Sequence, residues 1–417
     1  VTIPDAPAVK GHVGVFSYAV GVVVDGRVRT NDRFGSLVDG LAEQFDRVTY
    51  VFSEVRGDDP HFVRDGVALY DYSISAENVD WVTTVTAKAA TALKRLAILG
   101  RNLFRYRTAV RRCDYAYIFM PGLSGVAVTL LCRLYRKPYF LYFGADWYET
   151  ARFRANWQGS GRLLYRLYCA SLATLERITV RHARFVLVTG KSFLARIKRY
   201  NQEVQETVPM LGIDRGDVFE KREHLDARRV RLLFVGPVTE RKGVSYLVEA
   251  VALLPKYGIP IEGVELRLVG TLDDSYWEKI LATQATAAVA ERLHYEGYVS
   301  DKGRMLDYYR TADIFVLPSL GEGFPRVLYE AFSQDLPVIA SRITSISATL
   351  GDCECVAYAE PGSAESIAEA IASVVHDAGR RQALVRSGKR FVMSRLGGDP
   401  VRQVVSLVAA HVPEAAR

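Results

Sequence analysis

Short, dense apolar runs alternate with stretches of helical spacing along the whole chain. "HVGVFSYAV" reads as a first buried strand, followed by the polar loop "GVVVDGRVRTNDRFG" and the helix "SLVDGLAEQF". "RVTYVFSEV", "YAYIFMPG", "PYFLYFG" and "ARFVLVTG" read as further strands, with helical stretches between them. That alternation predicts a parallel sheet with helices on both faces. It breaks at "PMLGIDRGDVFEKREHLDARRV", a segment rich in turn residues and charge. It then restarts with "RLLFVG", "VSYLVEAVALL", "VELRLVG", "LHYEGYV", "DIFVLP", "PVIAS" and "CVAYAE". The expectation is an α/β chain of two doubly wound domains facing across a cleft. They run over 1–212 and 230–395, joined by a linker at 213–229. The amphipathic tail "PVRQVVSLVAAHV" predicts a last helix, within 396–417, that packs back across the domains. Ligands of such sheets bind outside the carboxyl ends of the strands.

Composition changes this picture little. At 417 residues the chain can bury two cores, and 49% apolar with 24% charged residues is ordinary for a globular protein. No apolar run approaches the roughly 18 residues a membrane span needs, and "VTIPDAPAVKGHVGVF" lacks the basic-then-apolar pattern of a signal peptide. A cytoplasmic chain is expected. The five scattered cysteines suggest free thiols rather than a disulfide framework, and Cys353-Glu354-Cys355 has no second pair with which to hold zinc. Charge is more informative. Val1 to Arg215 carries 30 Lys and Arg against 20 Asp and Glu, whereas the remainder carries 24 against 27. The first half should favour an anionic partner.

The chemistry concentrates in loops of the second half. Gly236 ends a strand, and Arg241 and Lys242 precede a helix start, which suits a diphosphate; the alternative is a solvated basic turn. In "SLGEGFPRVLYEAFSQDLPVIAS", Gly321 and Gly323 bracket Glu322, and Pro325 suits the first position of a helix. The N–H groups at Pro325-Arg326-Val327-Leu328 could cap a phosphate. Glu330 on that helix is placed for a ribose diol and Glu322 for sugar hydroxyls, since carboxylates accept paired hydroxyls well. A local cap or salt bridge is the alternative for Glu330.

"EGFPRVLYEA", in its setting "YYRTADIFVLPSLGEGFPRVLYEAFSQDLPVIAS", resembles the Glu-x7-Glu motif of the retaining glycosyltransferases of family 4, which have the GT-B fold of two Rossmann-like domains. "LLFVGPVTERKGVSYLVEAV", "YEGYVSDKGRMLDYYRTAD" and "TVPMLGID" are similar to that family's Lys-Gly loop, base-binding turn and linker. The second half carries the resemblance; the first matches mainly in layout, best at "LERITVRHARFVLVTGKSF". The resemblance implies transfer of a sugar from a nucleotide-diphosphate sugar, with UDP or GDP as carrier, and retention at the anomeric carbon. It implies that Glu330 binds ribose and Glu322 holds the donor sugar. Arg241 and Lys242 neutralise the diphosphate, helped by backbone at Val327 and Leu328, while Gly236, Gly323, Phe324 and Pro325 line the donor site. Gly297, Tyr298 and Val299 line the base pocket. No cofactor and no metal are implied, since fixed cations replace the ion. Asp146 in "FGADWYE" lies where the family often places a polar residue, frequently His, beside the donor sugar; loop capping is the alternative. Two departures stand out. Gly236-Pro237 replaces the family's Gly-Arg, and the glycine-rich acceptor loop is replaced by a stretch in which Arg33, Phe34 and Gly35 are the acceptor-side candidates.

No acid occurs from Trp81 to Arg112, where basic residues interleave with Leu93, Leu96, Leu99, Leu103 and Phe104. Such a helix can lie on anionic lipid; a solvated basic face is the alternative. No nucleic-acid-binding module accompanies the charge. The favoured expectation is a transferase of polysaccharide or glycoconjugate biosynthesis with a glycan or lipid-linked acceptor, peripheral at the inner face of the plasma membrane. Its rivals are transfer to a soluble small molecule, a nucleotide-sugar epimerase of the same fold, and an idle sugar-nucleotide binding module.

Overall fold

The computed structural model describes residues 9–55, 63–64, 67–68, 72–85, 92–144, 161–207, 210–220, 225–226, 228–323, 325–396 and 398–412. The chain forms two compact units, one of Val1–Met210 with Gly398–Arg417 and one of Leu211–Gly397. The first unit holds a nine-stranded sheet. Its strands are β1 (Val9–Val24), β2 (Arg27–Thr30), β3 (Phe45–Glu54), β4 (Tyr72–Ser73), β5 (Val79–Val85), β6 (Tyr115–Met120), β7 (Tyr139–Phe143), β8 (Val186–Val188) and β9 (Val204–Glu206). The parallel part runs β5-β3-β1-β6-β7-β8-β9. The order turns back at β1, as in doubly wound folds.

Helix α1 (Asp32–Ala42) covers one face of this sheet, through Leu37, Val38 and Leu41. Helices α2 (Ala92–Arg112), α3 (Leu123–Leu134) and α4 (Gly161–Val180) cover the other, where Ala109, Val110, Val126, Val128, Leu131 and Leu172 join Ile118, Leu141 and Val186 in a second core. β6 and β7 are buried along their whole length, which is why their sequences show no polar alternation.

One element differs from expectation. The stretch 21–35 is not a loop: β1 continues to Val24 and turns back as the antiparallel β2, with Gly21 opposite Thr30. Val23 stands opposite Val28, Val22 and Val24 stand opposite Arg29 and Arg27, and Asp25 and Gly26 turn the hairpin at φ 50° and 71°.

The second unit is a six-stranded parallel sheet. Its strands are β10 (Val230–Val235), β11 (Val264–Val269), β12 (Leu293–Tyr295), β13 (Ile314–Leu317), β14 (Val338–Ser341) and β15 (Val356–Ala359). They stand in the order β12-β11-β10-β13-β14-β15. Helices α5 (Val244–Leu253), α6 (Lys302–Thr311) and α7 (Val327–Ser333) follow β10, β12 and β13. The order reverses between β10 and β13, and the crevice at their carboxyl ends is where such sheets bind ligands.

The segment expected as a linker belongs to this unit. Phe219 donates its N–H to the Ser333 carbonyl, Gln334 donates to the Asp217 carbonyl, and Lys302 pairs with Asp217 at 2.7 Å. The last helix, α8 (Pro400–His411), belongs instead to the first unit, where it buries Val404, Val405, Leu407 and Val408. The expectation of free thiols holds for Cys113, Cys132 and Cys169 and needs correction for the other two cysteines. Cys353 and Cys355 form a disulfide, their Cα atoms being 5.3 Å apart and so within bridging range.

Candidate donor site at the carboxyl ends of β10 and β13

β10 ends at Gly236, whose φ of 148° lies in the region that glycine favours. A Cβ there would stand 3.8 Å from Lys242 Nζ, so glycine keeps that side of the ammonium clear. The chain then makes a single 3-10 turn, Glu240–Lys242, and enters α5 through Gly243 at φ 66°. A side chain at Gly243 would overlap the carbonyl oxygen of Pro318, so the two loops pack backbone to backbone. Leu320 N–H bonds the Arg241 carbonyl at 2.9 Å and ties them further.

This seam brings Arg241, Lys242 and Glu322 together. Lys242 Nζ donates to Glu322 Oε1 at 2.5 Å, and the Ser319 hydroxyl donates to the same oxygen at 2.6 Å. Arg241 Nη1 donates to Glu322 Oε2 at 3.3 Å and to the Gly321 carbonyl at 2.7 Å. Glu322 is 5% exposed, Lys242 7% and Ser319 fully buried, whereas the Arg241 side chain is 36% exposed. Burial alone would raise the Glu322 carboxyl. The charges of Lys242 and Arg241, with the hydrogen bonds from Lys242 and Ser319, outweigh it and leave the group lowered from 4.5. A carboxylate with two cations held at one loop seam is a preorganised charge cluster.

Glu330 lies eight residues on from Glu322, in the first turn of α7, and is 9% exposed. The fully buried Tyr309 of α6 donates its hydroxyl to Glu330 Oε2 at 2.7 Å, which fixes the carboxylate's orientation. The Leu328 N–H is bonded to the Pro325 carbonyl at 3.2 Å, and Leu328 is fully buried.

The base-loop candidates adjoin through backbone. Gly297 accepts from Gly270 N–H at 2.8 Å, and a side chain at Gly270 would overlap the Gly236 carbonyl. The loops after β10, β11 and β12 therefore touch in series. Tyr298 is 41% exposed, Val299 is buried, and Gly297 takes φ 74° with open space where a Cβ would be. Asp146 and Phe324 lie outside the described residues; Gly323 is described just before the latter.

Arg33, Phe34 and Gly35 do not form a loop. They are the first turn of α1, capped by Asn31, whose Oδ1 accepts from Phe34 N–H at 3.2 Å. Phe34 packs edge-on against Tyr18 and Phe119, and a side chain at Gly35 would overlap the Tyr72 ring. The absence of a side chain at Gly35 is required by packing against Tyr72.

Two residues that bond the candidate carboxylates were not singled out from the sequence. Ser319 stands within the motif string, but nothing in its spacing signals a contact three residues on. Tyr309 follows Leu306 at helical spacing on the buried face of α6, and that pattern reads simply as core.

Residues 229–377 match the family Glycosyl transferases group 1. The chain is 39% identical over 343 residues to TuaC of Bacillus subtilis (strain 168), named as a teichuronic acid biosynthesis glycosyltransferase, covering 79% of this chain and 76% of that one. It is 22% identical over 270 residues to Protein CapJ of Staphylococcus aureus; that match covers 64% of this chain and 65% of CapJ, just under two thirds of its length. Among solved structures, Anabaena HepE in complex with UDP and glucose superposes with a TM-score of 0.64 at 13% identity, covering 95% of this chain and 99% of the other. The fold is that of the GT-B glycosyltransferases, with two Rossmann-like units. The chain belongs to the family Glycosyl transferases group 1.

Proposed function

We propose that the protein is a retaining glycosyltransferase, taking a sugar from a nucleotide-diphosphate donor to a glycan or lipid-linked acceptor in polysaccharide or glycoconjugate biosynthesis. The observation that carries this reading is the Arg241–Lys242–Glu322 cluster at the switch point between β10 and β13. In the proposed reaction the bond from the anomeric carbon to the diphosphate breaks, and negative charge grows on the leaving group. Lys242 and Arg241 stabilise that charge without reorganising, because Glu322 and the Gly321 carbonyl already hold them. The acceptor oxygen bonds the same face of the anomeric carbon and passes its proton to the departing diphosphate. Glu322 holds the donor sugar, Glu330 the ribose diol, and the 297–299 loop the base. Two fixed cations supply the charge that a divalent ion would otherwise bring, so turnover should survive a chelator. HepE's complex with UDP and glucose supports trying UDP-sugars first.

The test needs no acceptor beyond water. The chain is incubated with UDP-glucose or GDP-mannose in chelator, and the released sugar is followed by proton NMR before mutarotation. The reading predicts that the α-anomer appears first and that release slows at least about a hundredfold in Glu322→Gln, on the scale of losing a preorganised electrostatic contact. First appearance of the β-anomer, release that needs a divalent ion, or an epimerised but intact nucleotide sugar would contradict it.

A further inference from the structure

Seven of the thirteen exposed large hydrophobic residues among the described residues lie on three neighbouring helices of the first unit. They are Leu99, Leu103 and Phe104 on α2, Leu123, Leu130 and Leu134 on α3, and Leu167 on α4. Helix α3 packs against both others. Its three exposed leucines, spaced seven and four apart, form one stripe. Leu123 is 73% and Leu134 70% exposed, while Val126, Val128, Leu131 and Cys132 of the same helix lie in the core. A helix apolar all round is expected to be covered all round.

The three helices form one continuous face. Arg107 of α2 donates to the Tyr135 hydroxyl, just past the end of α3, at 2.6 Å, and Arg111 stands 5.9 Å from the same ring's centroid. Cations edge this face. Arg101, Arg112, Arg133, Arg166 and Arg177 are exposed. Helices α2 and α3 contain no acid, and the one acid on α4, Glu176, is 1% exposed and paired with Arg196. The face offers apolar side chains inside a rim of arginines, with no exposed carboxylate on its helices.

We infer that this α2–α3–α4 face docks on the surface of an anionic lipid leaflet, its leucines and Phe104 entering the headgroup boundary and its arginines meeting the lipid phosphates. Charge selects the occupant. A second copy of the chain in a two-fold contact would set the same arginines against one another. A neutral bilayer would use the leucines but leave the cations without partners. Anionic lipid satisfies both, and the geometry is that of an interfacial rather than a spanning helix. No helix among the described residues is long and apolar enough to cross a membrane. The inference stands on the first unit alone and does not rest on the transferase reading.

The full chain is sedimented with vesicles of phosphatidylcholine alone or of an equal mixture with phosphatidylglycerol, at low and high salt. The expected result is binding only to the mixed vesicles, weakened by salt. Leu130→Glu/Leu134→Glu should lower binding at least about tenfold, since apolar insertion is replaced by charge repelled from the surface. Arg101→Ala/Arg112→Ala should lower it roughly fivefold per arginine. All of these positions are exposed, so unchanged circular dichroism and Tm serve as the check on folding. Three outcomes would overturn the inference: no binding to mixed vesicles, binding that both variants leave intact, or self-association that the leucine variant abolishes without any vesicle binding.

Discussion

The Glu322 carboxylate is the residue on which the site depends, and its burial makes the consequences large. Lys242 is as buried as its partner, so removing the carboxylate strands an ammonium away from water. Glu322→Gln should cost about 3–5 kcal/mol in the unfolding of the second unit, the range for breaking a buried pair, measured by denaturant titration. The same group sets an acid limit. Its folded value is lowered, so its contribution to stability is complete above the ordinary glutamate value of 4.5 and is lost as pH falls through the depressed one. The variant's stability should fall less steeply than wild type on the acid side. Tyr309→Phe tests a positioning role. If its hydroxyl orients Glu330, nucleotide affinity drops about tenfold while the packing of the ring is kept; an unchanged affinity at equal stability would make the tyrosine purely structural. Both carboxylates and both cations were legible in the sequence because loop glycines and a helix start surround them. Their mutual pairing was not, since the contacts span eighty residues or more.

At the scale of elements, the strands were legible because buried parallel strands are continuous apolar runs. The hairpin β1–β2 was not, because its apolar residues are interrupted by Asp25, Gly26, Arg27 and Arg29, which read as a polar loop. The four-residue β2 is exposed at alternate positions, the pattern of a half-covered strand. The seam between the loops of β10 and β13 is where an element-level prediction belongs. Gly243→Ala adds a strained left-handed residue and an overlap with Pro318, so it should cost about 2 kcal/mol or more and shift Lys242. Lower Tm together with weaker nucleotide binding is the expected pair of results. Full tolerance would mean that the loops are not packed as described.

At the scale of the molecule, the chain passes between its two units twice, once near 210 and again near 397. The amphipathic spacing of the tail announced α8, but nothing in that spacing says which core receives it. Leu407→Ala should destabilise the first unit by about 2–4 kcal/mol and leave nucleotide binding by the second unchanged, as limited proteolysis with and without nucleotide would read. In the proposed reaction the second unit holds a nucleoside diphosphate through Arg241, Lys242 and Glu330, and a ligand bound there raises the stability of the folded chain. Tm is measured for wild type and Glu330→Ala with UDP, GDP, ADP and CMP, all in chelator. One nucleoside diphosphate is expected to raise the wild-type Tm and to leave that of the variant unchanged. No shift with any nucleotide, or the same shift in both proteins, would contradict it.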